Sequence, residues 1–575
     1  MTDPGRAKPG DDAPTPDTLA AVAADYWESY LAFHPIDATS IGDRRFDDRL
    51  DDRSPAAIEG HLRGLAELGS RTAAIDPAGL ADADRVTHSA LVDQIGRDAA
   101  ELEAGMEAWT VDPLEGPQIA ALDLEAIQPI ANPDQGRAMV ARWVAMGGWF
   151  DSFGANLLTG LAAGRVAVRS PVERSIDELR TALAHRDDEL PLLAPAQVDH
   201  PDWARGELDA FRAGLRDAVR DVVRPAMARY VAVLDSEILP RARPDDRPGI
   251  LHLPHGGAAY EQLIAVHTSL PLSADEVHRI GLDEVARIDA ELTELGTRVL
   301  GVADRPAVLA HLRSDPALHF GSREEVFATA EGALERARAA IPAWFGLLPR
   351  ADCVVVAIGE HEEKHSTIAY YRPPAVDGSR PGQYYINTSE PGTRPRYEAE
   401  ALAYHESIPG HHLQLAIGQE LTDLPDFRRH LGPTAYFEGW GLYTERLAEE
   451  MGLYSGDLDR IGVLSFDAWR ACRLVVDTGI HALGWTRRQA IDFMLEHTAL
   501  AENNVINEVD RYIVWPGQAL AYKIGQLELL RLRDEARRDT GAAFDIRAFH
   551  DAVLGNGALG MRTLGEVVTA RTAPA

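Results

Sequence analysis

Residues 403–415 read AYHESIPGHHLQL, and the interpretation of the whole chain depends on their geometry. The run begins as a good helix former, but a Pro-Gly pair interrupts it. In a straight helix each residue turns about 100° and rises about 1.5 Å. His411 would then point about 240° away from His405, and His412 would lie about 10 Å along the axis. Since Zn–N bonds are about 2.0–2.1 Å, neither could share one ion with His405 in a straight helix.

Pro409 and Gly410 predict that the helix is not straight. Pro409 has no N–H to donate to the carbonyl of His405, and its ring clashes there. Gly410 permits almost any backbone conformation. A bulge of two residues would place His411 where an HExxH motif has its second histidine, and a bulge of three would place His412 there. Bulges and kinks of this kind are frequent at functional sites.

The regular HExxH pattern occurs as HEEKH at residues 361–365. On a helix its two histidines would share a face and reach one ion. Here the segment lies between strand-like runs, and Glu363 and Lys364 put charge where a zinc-bearing helix is normally buried. We predict a polar hairpin or loop, with a surface metal site as the alternative.

Composition limits the classes of function. The 575 residues are 45% hydrophobic and 26% charged, which predicts a globular protein with a large core. A formal net charge of -33 argues against nucleic acid and anionic membranes as partners. The two cysteines, Cys353 and Cys472, exclude a disulfide framework. With no signal-peptide pattern and no membrane span, we expect a soluble cytoplasmic protein.

Hydrophobic periodicity predicts a mostly α-helical chain with one small β-sheet. We expect a disordered tail over residues 1–17, then a single large domain over 18–575 with a possible subdomain boundary near 239–257. Short β-branched and aromatic runs place the sheet at about 352–390. Its QYYINT segment is interpreted as an edge strand that could pair with an extended peptide, and Tyr385 is a candidate substrate contact.

The segment HESIPGHHLQ matches throughout the His-Glu-x-x-Pro-Gly-His-His-x-Gln signature of the bacterial family of unknown function DUF885. Further blocks resemble those of the family in the same order: LSADEVHRIGLDEVARI (272–288), YYRPPAVDGSRPGQYYINT (370–388), FEGWGLYTERL (437–447) and RYIVWPGQALAYKIG (511–525). That family is similar to helical zinc metallopeptidases of the thimet oligopeptidase and thermostable carboxypeptidase type. The resemblance implies a gluzincin-like helical architecture with a deep central cleft and one Zn²⁺ per chain.

The resemblance also implies a ligand set. In the similar peptidases a Gly-His pair holds the second ligand, so His405 and His411 are the expected ligands, with His412 as the alternative to His411. The third ligand in those enzymes is a Glu on a following helix, for which Glu438 is the candidate. A catalytic zinc site then keeps one open position.

The block FEGWGLYTERL carries a second candidate site residue besides the candidate ligand Glu438. Glu438 and Glu445 are seven residues apart and share one helical face, so we expect Glu445 to support a histidine ligand. Gly439 and Gly441 lower helix propensity. That cost predicts that another backbone passes close to them.

The chemistry expected of such a site is peptide hydrolysis. Glu406 would take a proton from the attacking water and pass it to the leaving amine. Tyr522 is the first candidate for the oxyanion donor and Tyr512 the second. Arg511 or Lys523 could bind a substrate carboxylate.

Several alternatives remain open at this stage. One is a zinc-dependent amidase, or another C–N-cleaving enzyme acting on a small metabolite. A second is a zinc-retaining, non-catalytic binding protein, against which the intact Glu406 weighs. A dinuclear iron carboxylate bundle would need Glu-x-x-His pairs from two helices, and the site segment has none. The expected partner is a peptide or small amide substrate, and the oligomeric state is not predicted.

Overall fold

The structure is a computed structural model that describes residues 18–359, 363, 367–376 and 378–572. These residues form a mostly helical protein with one small sheet, as expected. The α-helices are α1 Leu19–Phe33, α2 Pro35–Ser40, α3 Pro55–Ala73, α4 Asp82–Ala104, α5 Pro117–Ile127, α6 Pro133–Ala162, α7 Arg169–Ala184, α8 Arg205–Ala218, α9 Arg224–Val233, α10 Gly256–Thr268, α11 Ala274–Leu300, α12 Arg305–Ser314, α13 Arg323–Ala340, α14 Arg396–Glu406, α15 His411–Glu420, α16 Asp426–His430, α17 Thr434–Glu450, α18 Asp457–His481, α19 Arg487–His497, α20 Glu502–Val514, α21 Leu520–Thr540, α22 Ile546–Leu554 and α23 Met561–Thr572. The strands are β1 Cys353–Ala357, β2 Ala369–Arg372 and β3 Gly382–Ile386.

The three strands pair in the order β1-β3-β2, with β1 parallel and β2 antiparallel to β3. The predicted edge strand is therefore the central strand, and this prediction is wrong. Both edges of β3 are occupied along its length, from Gly382 opposite Cys353 to Ile386 opposite Ala369. No free edge is left on β3 for an added peptide, because each strand edge can pair only once.

Helix α18 is the centre of the larger core. Every residue from Ile461 to His481 is buried, including the charged ones. Helices α11, α14, α17 and α21 pack against it. A helix that is buried all round belongs in the middle of a large protein. Helix α11 begins with a capping box, in which Ser273 and Glu276 cap each other's backbone N–H groups.

A second cluster of buried apolar side chains lies outside this core. Apolar side chains between Val111 and Ile238 form a separate buried cluster. The connector after that cluster is tied back, because Arg243 pairs with Val168 in an isolated β-bridge. The division into domains stays a prediction. No described helix is long and apolar enough to cross a membrane.

Two sequence predictions fall on positions outside the described residues. The tail over residues 1–17 is one. The HEEKH segment is the other, apart from Glu363, whose carboxylate accepts two hydrogen bonds from Arg323 at 2.6 and 2.7 Å. That ion pair uses the central Glu of the segment in a surface contact.

Candidate metal centre

The Pro-Gly pair separates two helices. Helix α14 ends at Glu406, residues 407–410 form a turn, and α15 begins at His411. The predicted bulge within one helix is therefore wrong: the interruption is a complete break. A Cβ on Gly410 would overlap the carbonyl oxygens of Tyr404 and His405, so only glycine fits where the chain folds back on α14.

The break brings the first two histidines together. The rings of His405 and His411 lie 4.7 Å apart, centroid to centroid, at a right angle. His405 Nε2 is 3.5 Å from Glu438 Oε2, and His411 Nε2 is 3.7 Å from the same oxygen. One ligand atom from each of the three residues falls within 4.8 Å of the others.

These three side chains fit a zinc ion. Four ligands at about 2.0–2.1 Å in a tetrahedron stand about 3.3 Å apart. The two His–Glu distances are only slightly longer than that. Among the described residues, His411 Nδ1 is buried without a hydrogen-bond partner. Two imidazoles and a carboxylate form the donor set of catalytic zinc sites.

Glu445 orients the first histidine. His405 Nδ1 donates to Glu445 Oε1 at 2.8 Å, which leaves Nε2 to face Glu438. Both carboxylates project from α17, seven residues apart on one face. Gly441 lies between them, and a Cβ there would stand 2.5 Å from Cε1 of the His405 ring. The predicted pairing of Glu438 and Glu445 across a histidine is the geometry the structure has.

Helix α17 also holds the break in place. The Trp440 indole donates to the carbonyl oxygens of Pro409 at 3.0 Å and Gly410 at 3.3 Å. On the opposite side, Gly439 packs against the backbone of Gly525 in α21, as its low helix propensity predicted. Gly441 has a different cause, because a side chain rather than a backbone fills its space.

The pKa values of the three side chains show which of their protonation states the protein favours. Burial acts to lower the pKa of His405, but hydrogen bonding to Glu438 and Glu445 outweighs it and raises the pKa to about 9. Burial lowers the pKa of His411 to about 4. Burial opposes ionisation of Glu438, yet the two histidines lower its pKa to about 2. A neutral imidazole and a carboxylate are the metal-binding forms, and binding would release a proton from His405.

Glu406 follows His405 directly and is partly exposed beside the group. Burial, reinforced by the nearby charge of Glu438, raises the pKa of Glu406 to about 7. A carboxyl near that value can take up and release a proton at neutral pH. The Tyr384 hydroxyl of β3, which the sequence did not single out, interacts with Glu406 and is buried without a described hydrogen-bond partner.

His412 is held elsewhere. Its Nε2 donates to the carbonyl of Ala351 at 3.2 Å, so its Nδ1 accepts from the Tyr371 hydroxyl at 2.8 Å. Gly382 leaves the space for this pair, since a Cβ there would stand 2.5 Å from both partners. With both ring nitrogens engaged, the structure favours His411 over His412 at the candidate metal site.

The two candidate oxyanion donors differ in their surroundings. The Tyr512 hydroxyl donates to Glu508 at 2.6 Å and accepts from Arg473 at 3.0 Å. It is fully buried in that network. Tyr522 makes no side-chain hydrogen bond to the described residues, and burial with the charge of Glu438 raises its pKa. Tyr522 is therefore a protonated phenol near the group with its hydroxyl unused.

The candidate substrate contacts are mostly engaged within the protein. Lys523 donates to Asp467 at 2.5 Å and to Gln526 at 2.8 Å, and pairs with Glu284 at 2.9 Å. Arg511 Nη2 pairs with a Glu508 oxygen at 2.9 Å, and its Nη1 donates to Gln518 at 2.7 Å.

Tyr385 lies on the sheet rather than in the group. Its ring stacks on Tyr370 at 4.7 Å, and its hydroxyl donates to Gln383 at 3.1 Å. Lys523, Arg511 and Tyr385 are the substrate contacts expected from the sequence. Each of the three polar groups already has a partner within the protein.

Two arginines that the sequence reasoning missed act electrostatically on residues of the site. Arg470 and Arg473 are buried on α18. The charge of Arg470 acts to lower the pKa of Glu406, and the charge of Arg473 acts to lower the pKa of Glu438. The signal was present in the sequence, because WRACRLVV (469–476) places two arginines three apart within an otherwise apolar run. Charged residues at such positions are seldom fully buried without a reason.

A mostly helical fold with a largely buried His–His–Glu group, in which His411 and Glu438 keep some exposure, defines the class of this protein. The chain belongs to the bacterial family of unknown function DUF885, whose model matches residues 35–568. A solved structure from Colwellia psychrerythraea, described as a "putative lipoprotein", is similar over 96% of this chain and 98% of its own, at 28% identity and a TM-score of 0.89. A second solved structure, from Shewanella oneidensis, is described as a "putative lipoprotein of unknown function". It is similar over 96% of this chain and 99% of its own, at 18% identity and a TM-score of 0.75. That likeness shows the fold alone. No curated protein matches.

Proposed function

We propose that this protein is a zinc-dependent hydrolase that cleaves peptide bonds, acting on short peptides in a deep cleft of gluzincin-like architecture. The observation that carries the proposal is the convergence of His405, His411 and Glu438, with Glu445 fixing the tautomer of His405. The ligand residues and one Zn²⁺ per chain are part of the same proposal. When bound, the ion would polarise a scissile carbonyl and lower the pKa of a water.

Glu406 is assigned the proton transfers. With a pKa of about 7 it accepts a proton from the attacking water and then donates it to the leaving amine. Its position next to a ligand and on the partly exposed side of the group supports this role. A purely structural metal site would need no carboxyl of this kind, and four protein ligands would be expected instead.

Tyr522 is assigned to the developing negative charge on the carbonyl oxygen. A phenol donates a hydrogen bond only while protonated, and the raised pKa of Tyr522 keeps it so. Tyr512 could not do this without leaving Glu508. Its hydrogen bonds suit it instead to holding Arg473 and Glu508 in position.

Metal content and hydrolysis test the proposal together. We expect about one zinc per chain by elemental analysis, lost in His405→Ala and His411→Ala. Glu406→Gln should keep the metal and lose hydrolysis of a dipeptide and tripeptide panel. His365→Ala in the HEEKH segment is the matched control and should keep both. Hydrolysis that survives in Glu406→Gln would refute the mechanism.

The substrate panel also separates peptidase from amidase activity. Peptides with free and amidated C-termini are compared with small amides lacking a peptide backbone. Turnover of the small amides alone would replace the peptidase assignment with a zinc-dependent amidase. A zinc-loaded protein that hydrolyses none of them would be a binding protein instead. A cytoplasmic location of this protein is likewise a proposal.

A further inference from the structure

Arg470 is a buried cation that has no hydrogen-bond or ion-pair partner in the part of the chain that the structure describes. Its side chain lies in the core of the protein with 6% of its surface exposed. Among the described residues it makes no hydrogen bond or ion pair, and its Nε and Nη1 atoms are buried unsatisfied. Its guanidinium carbon lies 4.3 Å from the ring centroid of Trp469 and 4.5 Å from that of Phe466. Aromatic faces offset part of the cost of the charge, but they accept no hydrogen bonds.

Arg473 follows three residues later, on the same side of α18. Its Nε donates to Tyr512 at 3.0 Å and its Nη2 to Glu508 at 3.0 Å, while Nη1 is buried without a partner. Its guanidinium lies 4.3 Å from the centroid of the Tyr522 ring. We call the Nη1 side of this guanidinium the unused edge of Arg473. Arg473 thus lies next to Tyr522, whose pKa is also raised by the charge of Glu438.

Among the described residues, no carboxylate makes a direct ion pair with Arg470, and Arg473 pairs with Glu508 alone. Glu508 is shared between Arg473 and Arg511, so one negative charge serves two cations. Glu445 is engaged by His405. A buried charge is ordinarily paired, because leaving water without a counter-charge is costly. Among the described residues, the Nε and Nη1 atoms of Arg470 and the Nη1 atom of Arg473 therefore remain as buried donors without an acceptor.

We propose that Arg470, with the unused edge of Arg473, binds the C-terminal carboxylate of the substrate. The substrate class is then peptides with a free C-terminus, cut close to that end. A guanidinium holds a carboxylate with two parallel hydrogen bonds, which fixes the orientation of the peptide as well as its charge. The cleavage itself rests on the proposed function; the carboxylate site does not.

Binding to an inactive variant tests this directly. Acetyl-alanyl-alanine and its C-terminal amide are titrated by calorimetry into zinc-loaded Glu406→Gln protein. We expect the acid to bind at least 10-fold more tightly than the amide. Adding Arg470→Gln should bring the two affinities within 3-fold of each other. Equal binding of acid and amide in the parent, binding of neither, or a preference that survives Arg470→Gln would overturn the proposal.

Controls separate this proposal from folding defects and from the proposed function. Arg487→Gln removes an arginine of α19 that pairs with Asp510 of α20, and it should leave the preference intact. Arg470→Lys keeps the charge but loses the planar fork, so the preference should shrink without disappearing. Should Arg470→Gln fail to fold, the acid–amide comparison in the parent and Arg470→Lys still decide. Binding preference without hydrolysis would refute only the enzyme, and hydrolysis without preference only the carboxylate site.

Discussion

Replacing Gly441 by alanine tests how closely α17 is fitted to the metal site. The new Cβ would lie 2.5 Å from Cε1 and 2.7 Å from Nε2 of His405, while ordinary contacts begin near 3.4 Å. The ring must therefore move by about 1 Å. Metal–ligand distances tolerate only about 0.2 Å, so the Nε2 ligand is lost or badly misplaced. We expect zinc affinity to fall at least about 100-fold, equivalent to about 2.8 kcal/mol.

Competition with a chromogenic zinc chelator measures this affinity, and urea unfolding of the metal-free protein measures stability. Gly439→Ala, two residues away on the same helix, is the matched control. Its Cβ would meet the backbone of Gly525, which cannot rotate aside, so we expect stability to fall by about 1–3 kcal/mol. Zinc affinity of the folded Gly439→Ala fraction should fall less than that of Gly441→Ala. Unchanged zinc affinity in Gly441→Ala would refute the reasoning.

Three more predictions concern the buried polar side chains Glu445, His412 and Asp477. Glu445→Gln removes the charge behind His405 and should weaken zinc binding by about 10–100-fold in the same competition assay; unchanged binding would contradict that role. His412→Ala should keep its zinc but lose about 1–3 kcal/mol in urea unfolding, because two buried hydrogen bonds are broken; loss of the metal would make it a ligand. Burial raises the pKa of Asp477 to about 7, so its contribution to stability falls as pH rises from about 4 to 7. Asp477→Asn should accordingly be less destabilising, relative to the parent, at pH 7.5 than at pH 5, and an equal difference at both would contradict this.

Local chemistry explains why parts of the site were predictable. The helix arithmetic between His405 and His411 depends only on residue spacing, so the need for an interruption was visible in the sequence. The same holds for Glu438 and Glu445, whose separation of seven places them on one face of any helix. The form of the interruption was not visible. A bulge and a break use the same Pro-Gly pair, and the Trp440 contacts that accompany the break come from a distant segment.

Long-range pairing explains the errors. The position of β3 in the middle of the sheet depends on β1 and β2, which single-strand patterns do not reveal. Lys523 looked available because its partner Asp467 is 56 residues away. Tyr512 was a reasonable oxyanion donor until Glu508 and Arg473 occupied its hydroxyl. Glu508 lies only four residues before Tyr512 on the same helix, but Arg473 and Asp467 are distant in the chain, and sequence spacing cannot identify partners of that kind.

The arrangement on α17 has a consequence for redesign. Glu438, Trp440 and Glu445 are fixed relative to one another by the rise and turn of a single helix. His411 is instead placed by the four-residue turn over 407–410, which Trp440 anchors through the carbonyl oxygens of Pro409 and Gly410. An engineer who wishes to change the size of the coordination site can therefore leave α17 untouched and vary the length of that turn. Loop length, rather than the identity of the ligands, is the adjustable dimension of this centre.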